Sequence, residues 1–163
     1  MTADLLHVRR AAVGDERLLR ELRLEALTDA PVAFGSTYAR ELARTTEDWR
    51  RWISSPAATF VLEVGGQPRG MVAAMPEPDA AAVFQLMAMW VHPDMRGRRG
   101  AAALVAAVVD WTRTQCAQSV QLYVVDTNAR ARRCYEKHGF TLTTHTRLRE
   151  RDGATELLMR RPV

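Results

Sequence analysis

The sequence predicts an α/β protein with a mixed sheet, and three observations carry that prediction. Segments with the two-residue alternation of strands stand before, between and after segments with helical spacing. Apolar runs at 82–91 and 120–125 are each followed by a helical pattern, which places a strand–helix–strand–helix unit in the middle of the chain. Gly65-Gly66 joins two earlier apolar runs as an antiparallel hairpin.

The elements follow in order. Leu6, His7, Val8 and Arg9 alternate as a short strand, and over 14–28 Leu18, Leu19, Leu22, Leu24 and Leu27 fall largely at helical spacing, giving an amphipathic helix that Asp29-Ala30-Pro31 ends. Thr46-Glu47-Asp48 has the acidic first turn of a further helix, so a helix or helical pair is expected over 36–54. The hairpin strands span 58–64 and 70–75, a turn follows at 76–79, and 82–91 reads as a long buried strand. After Pro93, residues 101–113 put Leu104, Val108 and Trp111 on one helical face, widened by Val105 and Val109. A strand at 120–125, a helix at 128–138 ended by Gly139, and strands at 140–145 and 155–159 around the turn Arg151-Asp152-Gly153 complete the chain. No repeat or linker interrupts this order, so residues 1–163 are expected to form a single domain.

Composition narrows the class. With 47% hydrophobic and 26% charged residues the chain has the balance of a soluble globular protein. Residues 1–5 lack a basic, apolar leader and the longest apolar run, 100–109, stops at Asp110, so neither export nor membrane spanning is expected. Cys116 and Cys134 have no paired spacing and no neighbouring histidine pattern, which points to no metal and to a reducing cytoplasm. Lys137 is the single lysine among 23 basic residues, and arginine suits phosphate because its planar fork binds two oxygens at once. An Ala- and Arg-rich composition also follows from coding bias, so charge by itself identifies no partner. A nucleic-acid-binding reading lacks a recognition motif and the strand-borne aromatics of RNA binders.

Two segments carry chemistry. Residues 86–104 run from a buried strand through a basic loop with Gly97 and Gly100 into a helix, whose free N–H groups and dipole would stabilise an anion such as phosphate. Neither G-x-x-x-x-G-K-[ST] nor G-x-G-x-x-G is present, which removes support for nucleotide triphosphates and dinucleotides. Residues 126–140 again follow a strand; Asn128, Ala131 and Tyr135 share one helical face, while Arg130, Arg133 and Lys137 lie away from it.

Together these segments resemble the GNAT superfamily of acetyl-CoA-dependent N-acyltransferases. Val91, Pro93, Arg96, Gly97 and Ala101 match the family's V-x-P-x-x-[RQ]-G-x-G-x-[GA], and Asn128, Ala131, Tyr135, Gly139 and Phe140 match its N-x-x-[AS]-x-x-x-Y-x-x-x-G-F, with Leu104 in register. The resemblance implies a mixed, mostly antiparallel sheet of about six to seven strands flanked by about four helices. One position departs: the family's second loop glycine falls at Arg99, with a glycine displaced to Gly100. A left-handed arginine would be strained, so the expectation is that the turn shifts by one residue onto Gly100.

The resemblance further implies that acetyl-CoA is the co-substrate and that an amine-bearing small molecule, protein or peptide attacks it directly in a ternary complex. Its pyrophosphate would rest on the amides of Arg98, Arg99, Gly100, Ala101 and Ala102, and Arg96, Arg98 or Arg99 would meet a CoA phosphate. The pantetheine arm would lie between strands 84–91 and 120–125, held by backbone groups of Met89 and Val91, with an amide near Met89 or Trp90 facing the thioester oxygen. Asn128 would orient the arm or the leaving sulfur, Ala131 of the same stripe would be cofactor-binding, and Tyr135 would serve as the catalytic acid. The amine must lose a proton before attack, but Glu25, Glu41, Glu77, Gln85 and His92 all remain open as participants. The acceptor pocket is expected from 25–52 and the closing strands, and the resemblance leaves a homodimer open. The rival classes are a catalytically silent acyl-CoA-binding module and, further off, a basic nucleic-acid-binding protein.

Overall fold

A computed structural model describes residues 5–163; residues 1–4, which belong to the stretch read above for a leader, lie outside the described residues. The chain runs β1 (Leu6–Arg10), α1 (Glu16–Asp29), α2 (Tyr38–Leu42), α3 (Thr46–Ile53), β2 (Ala58–Val64), β3 (Gln67–Glu77), β4 (Ala80–Val91), a 3-10 turn (Pro93–Met95), α4 (Gly100–Thr114), β5 (Ser119–Val125), α5 (Ala129–Lys137), β6 (Thr141–Leu148) and β7 (Thr155–Pro162). The helix or helical pair expected over 36–54 is a pair of short helices, which brings the α-helices to five. Two threonines divide the segment: Thr37 accepts the Arg40 N–H at 3.2 Å, and Thr45 opens α3 through a capping box with Asp48.

The seven strands form one sheet in the order β1-β2-β3-β4-β5-β7-β6. All neighbours are antiparallel except β4 and β5, which pair in parallel over only Val83–Gln85 and Ser119–Gln121. Strand alternation sends Phe60, Leu62 and Val64 to a core shared with Leu104, Val105, Val108 and Val109 of α4, and sends Val61 to a core shared with Leu19, Leu22, Trp49 and Ile53 of α1 and α3. Helices therefore cover both faces, and the helical stripe read from Leu104, Val108 and Trp111 packs as expected, with Trp111 edge-on to Phe84 at 5.3 Å.

The second core also buries charge. Glu41 is 1% exposed, 2.7 Å from Arg44 and 3.9 Å from Arg23, and the Arg23 guanidinium lies 4.6 Å over the Phe34 ring. Burial lowers the pKa of Arg23, and Glu41 opposes that effect. At the other end of the sheet the β6–β7 turn reaches back to the loop after α1: Arg151 donates to the carbonyls of Pro31, Phe34 and Ser36 at 2.8, 2.8 and 3.0 Å, and Arg149 to that of Val32 at 3.0 Å.

Candidate active site

The sheet opens where β4 and β5 part. Beyond Gln85 and Gln121 the strands no longer pair, and the gap is lined by Leu86, Met87, Ala88 and Met89 on one side and Leu122, Tyr123, Val124 and Val125 on the other. A bulge lies beside the gap: Met71 pairs with Trp90 and Ala73 with Met87, so Ala88 and Met89 together face Val72, and Ala88 takes φ 54°. One residue of β4 is thereby left out of the β3–β4 ladder.

The gap widens into a cleft of about 630 Å³ that α4 and α5 border. Met89, Trp90, Val91, Arg96, Gly97, Arg99, Gly100, Ala101, Ala102, Asn128, Ala131 and Tyr135 all line it, so residues separated by some forty positions of sequence share one wall. Arg98 stands apart. It is absent from the lining, and its N–H donates to the Met95 carbonyl at 3.2 Å, leaving it no amide for a ligand. The free donors of α4 are those of Gly100, Ala101 and Ala102, since the helix's first bond runs from the Ala103 N–H to the Arg99 carbonyl at 3.0 Å.

The loop conformation corrects one expectation. The turn does not shift onto Gly100: Arg99 itself is left-handed, at φ 64° and ψ 3°. Gly100 is needed for contact instead, because a Cβ there would sit 2.8 Å from Leu62 Cδ2 and 3.3 Å from Val91 Cγ1, where the helix start presses on the sheet. Gly97, at φ 77° with no atom within 4 Å of a Cβ, is the glycine that leaves open space for a group approaching the backbone.

Arg96 is engaged within the fold. Its Nη2 pairs with Asp29 at the end of α1, and Trp90 Nε1 donates to the same carboxylate oxygen at 3.0 Å. The Trp90 hydrogen bond, helped by Arg96, holds the Asp29 carboxyl below its ordinary range despite some burial. Arg96 thus ties the loop to α1 rather than standing free for a phosphate.

Asn128 caps α5, its Oδ1 accepting the Ala131 N–H at 3.1 Å, which fixes the side chain and leaves the amide NH₂ free for a ligand. Tyr135 packs edge-on to Phe140, ring centroids 5.8 Å apart, with no hydrogen-bond partner for its hydroxyl among the described residues. Burial, with the neighbouring Cys134 thiol, pushes the Tyr135 phenol above its ordinary pKa, so it stays protonated at neutral pH.

The residues left open for the amine's proton separate clearly. Glu41 is sealed between Arg23 and Arg44, Glu77 accepts from Gln121 Nε2 at 3.0 Å, and Glu25 lies 3.3 Å from His92 Nε2, away from the gap between β4 and β5. The pocket expected from 25–52 is met by Ala33 and Phe34, which line the gap from the loop after α1, though the sequence did not single them out; it assigned no site role to Arg130, Arg133, Cys134, Lys137 and His138, which border the outer cleft. Helical spacing could have flagged Arg130, Arg133 and Lys137 as a row, whereas nothing in the local sequence brings Phe34 to β4.

The acetyltransferase (GNAT) family matches residues 19–140. A mycothiol acetyltransferase of Stackebrandtia nassauensis is 31% identical over 133 residues, 80% of this chain, and the chain spans 42% of that protein's length. Among solved structures, the fold is shared with a GNAT-family acetyltransferase from Streptococcus pneumoniae (TM-score 0.80, 18% identity, 98% of this chain and 99% of that one). It is shared also with a GCN5-related N-acetyltransferase from Kribbella flavida (TM-score 0.77, 24% identity, 97% and 98%). A third, yncA of Salmonella typhimurium, was solved with its cofactor acetyl-CoA (TM-score 0.79, 16% identity, 97% and 94%). With the family matching three-quarters of its length, over the strands, loop and helix that build the cleft, this chain belongs to the acetyltransferase (GNAT) family.

Proposed function

We propose that this chain transfers the acetyl group of acetyl-CoA to a primary amine by direct attack within a ternary complex, as one catalytic domain in a reducing cytoplasm. The observation that carries the reading is the convergence, on one cleft, of the parted strands β4 and β5, the Ala88 bulge, the free N–H groups of Gly100, Ala101 and Ala102, and the protonated phenol of Tyr135. Acetyl-CoA supplies an activated thioester. The α4 N-terminus and Gly97 suit its pyrophosphate, because unpaired amides at a helix start favour an anion and nothing blocks approach at Gly97. The parted strands offer unpaired backbone groups at Met89 and Val91 to an amide-bearing arm, which would fill the vacancy left in the ladder.

Tyr135 would then hydrogen-bond the departing thiolate. A phenol near pKa 10 giving its proton to a thiolate whose thiol has a pKa near 8.5 already runs uphill by about 1.5 units, roughly 2 kcal/mol, and burial adds to that difference. Stabilisation through the hydrogen bond therefore outweighs full transfer. Asn128, fixed by its cap, would offer its NH₂ to the arm.

Acetyl-CoA turnover against a panel of amines, including the acceptor of mycothiol acetyltransferases, tests the reading. Free CoA release that depends on both acetyl-CoA and an amine supports it. Acetyl-CoA binding without turnover on any amine would make the chain a silent binding module, and absence of binding would overturn the reading altogether.

A further inference from the structure

The five charged side chains of α5 are not distributed evenly. Arg132 Nε lies 3.8 Å from Glu136 Oε1, while Arg130, Arg133 and Lys137 have no carboxylate within 4.0 Å among the described residues and border the outer cleft. Their i, i+3 and i+7 spacing sets them in one row about 10 Å long at the helical rise of about 1.5 Å per residue. Asn128, Ala131 and Tyr135 form the inner wall, and this row forms the rim.

The rest of the lining deepens the asymmetry. It holds Arg99 across the cleft and not one carboxylate. Elsewhere the chain's arginines are mostly satisfied at home: Arg9 by Asp15 and Glu63, Arg50 by Glu16, Arg96 by Asp29, Arg147 by Glu156. Like charges kept in a row repel, and among the described residues no carboxylate lies within 4.0 Å to offset them.

We propose that Arg130, Arg133 and Lys137 hold the 3′-phosphate of the CoA adenosine and make the protein select CoA over dephospho-CoA. The inference rests on the acetyl-CoA reading above. In that reading the α4 amides take the pyrophosphate, Arg96 is committed to Asp29 and Arg98 lies off the cleft. The one remaining anionic group of the ligand is the ribose 3′-phosphate, a dianion whose oxygens match guanidinium forks and a flexible ammonium. The row lines the same cleft as the α4 start, so a ligand whose pyrophosphate rests on the α4 amides has the row within the same cavity.

Calorimetric titration with CoA and with dephospho-CoA, at about 0.1 M and 0.5 M salt, tests this without an acceptor. The wild type should bind CoA at least tenfold more tightly at low salt, with the preference shrinking at high salt as screening sets in. Arg133→Gln and Lys137→Gln should each weaken CoA severalfold and leave dephospho-CoA within about twofold. The triple variant R130Q/R133Q/K137Q should bind both ligands alike. Equal wild-type affinity for the two, or a CoA preference that survives in the folded triple variant, would overturn the proposal while leaving the acetyl-CoA reading intact. Binding of neither ligand would overturn both.

Discussion

Tyr135 concentrates the chemical question in one hydroxyl. Its phenol has a pKa raised by burial, has no hydrogen-bond partner among the described residues, and lines the same gap as the Ala88 bulge. Tyr135→Phe keeps the ring packed on Phe140 and removes only the donor. General acids contribute typically about 10² to 10⁴ in rate, and a thiolate leaves readily, so kcat should fall by about 10- to 10³-fold with the affinity for acetyl-CoA changed by less than about tenfold. Single-turnover kinetics with a competent amine check this, and an unchanged chemical step would remove Tyr135 from the mechanism. Two neighbouring loop residues divide the work that one glycine would otherwise do. Arg99 carries a left-handed backbone and Gly100 a close contact, so Arg99→Gly and Gly100→Ala should act in opposite directions. The first relieves about 1–2 kcal/mol of strain, offset by about 0.5–1 kcal/mol of glycine entropy, for a small net gain. The second drives a methyl toward fully buried Leu62 and should lower stability by about 1–3 kcal/mol. Urea midpoints of the two variants decide, and a reversed order would refute the assignment.

At the scale of elements, the β6–β7 turn acts as a clasp on the loop that carries Ala33 and Phe34 to the gap. Asp152 orients Arg149 through bonds of 3.0 and 2.7 Å, and the Arg149 hydrogen bond leads in lowering the Asp152 pKa from 3.8 to about 2. Because the folded value lies below the unfolded one, this contribution to stability is present above about pH 4 and is lost as pH falls toward 2. Asp152→Asn should therefore be less stable than the wild type at neutral pH and show a flatter decline between pH 4 and 2. Equilibrium unfolding across that range measures it, and parallel acid profiles would exclude Asp152 as the titrating group. The buried pair in the other core behaves differently. Replacing Glu41 by Ala strands the Arg23 charge at 5% exposure and should cost about 3–5 kcal/mol, whereas rim pairs such as Arg17 with Glu21 contribute little.

For the whole molecule, the cleft is a wedge in the sheet itself. The cores on either side of the sheet are separate, and only three residue pairs join β4 to β5, so the halves of the sheet meet weakly at the place where a ligand would bridge them. A ligand spanning the gap binds the folded state alone. Acetyl-CoA at 100 times its Kd should then stabilise the protein by about 2.7 kcal/mol, raising Tm by roughly 5–10 °C for a chain of this size. Thermal unfolding with and without acetyl-CoA tests this, and an unmoved Tm at saturating ligand would place binding outside the folded cleft.

The sequence by itself determined the element order, the apolar face of α4, the end of α5 at Gly139, and the two motif segments, because each depends on residues close along the chain whose period or turn chemistry is local. It also located Asn128, Ala131 and Tyr135 on one helical face for the same reason. Tertiary structure alone decided the rest. β4 parts from β5 beyond Gln85 and carries a bulge opposite Val72, Arg99 is left-handed beside a Gly100 that presses on Leu62 and Val91, and Arg96 is taken by an aspartate from α1. Phe34 lines the gap from a loop held by Arg149 and Arg151, more than a hundred residues later, and by the α1–α3 core. Such contacts join segments far apart in sequence, and local periodicity carries no record of which distant groups will meet.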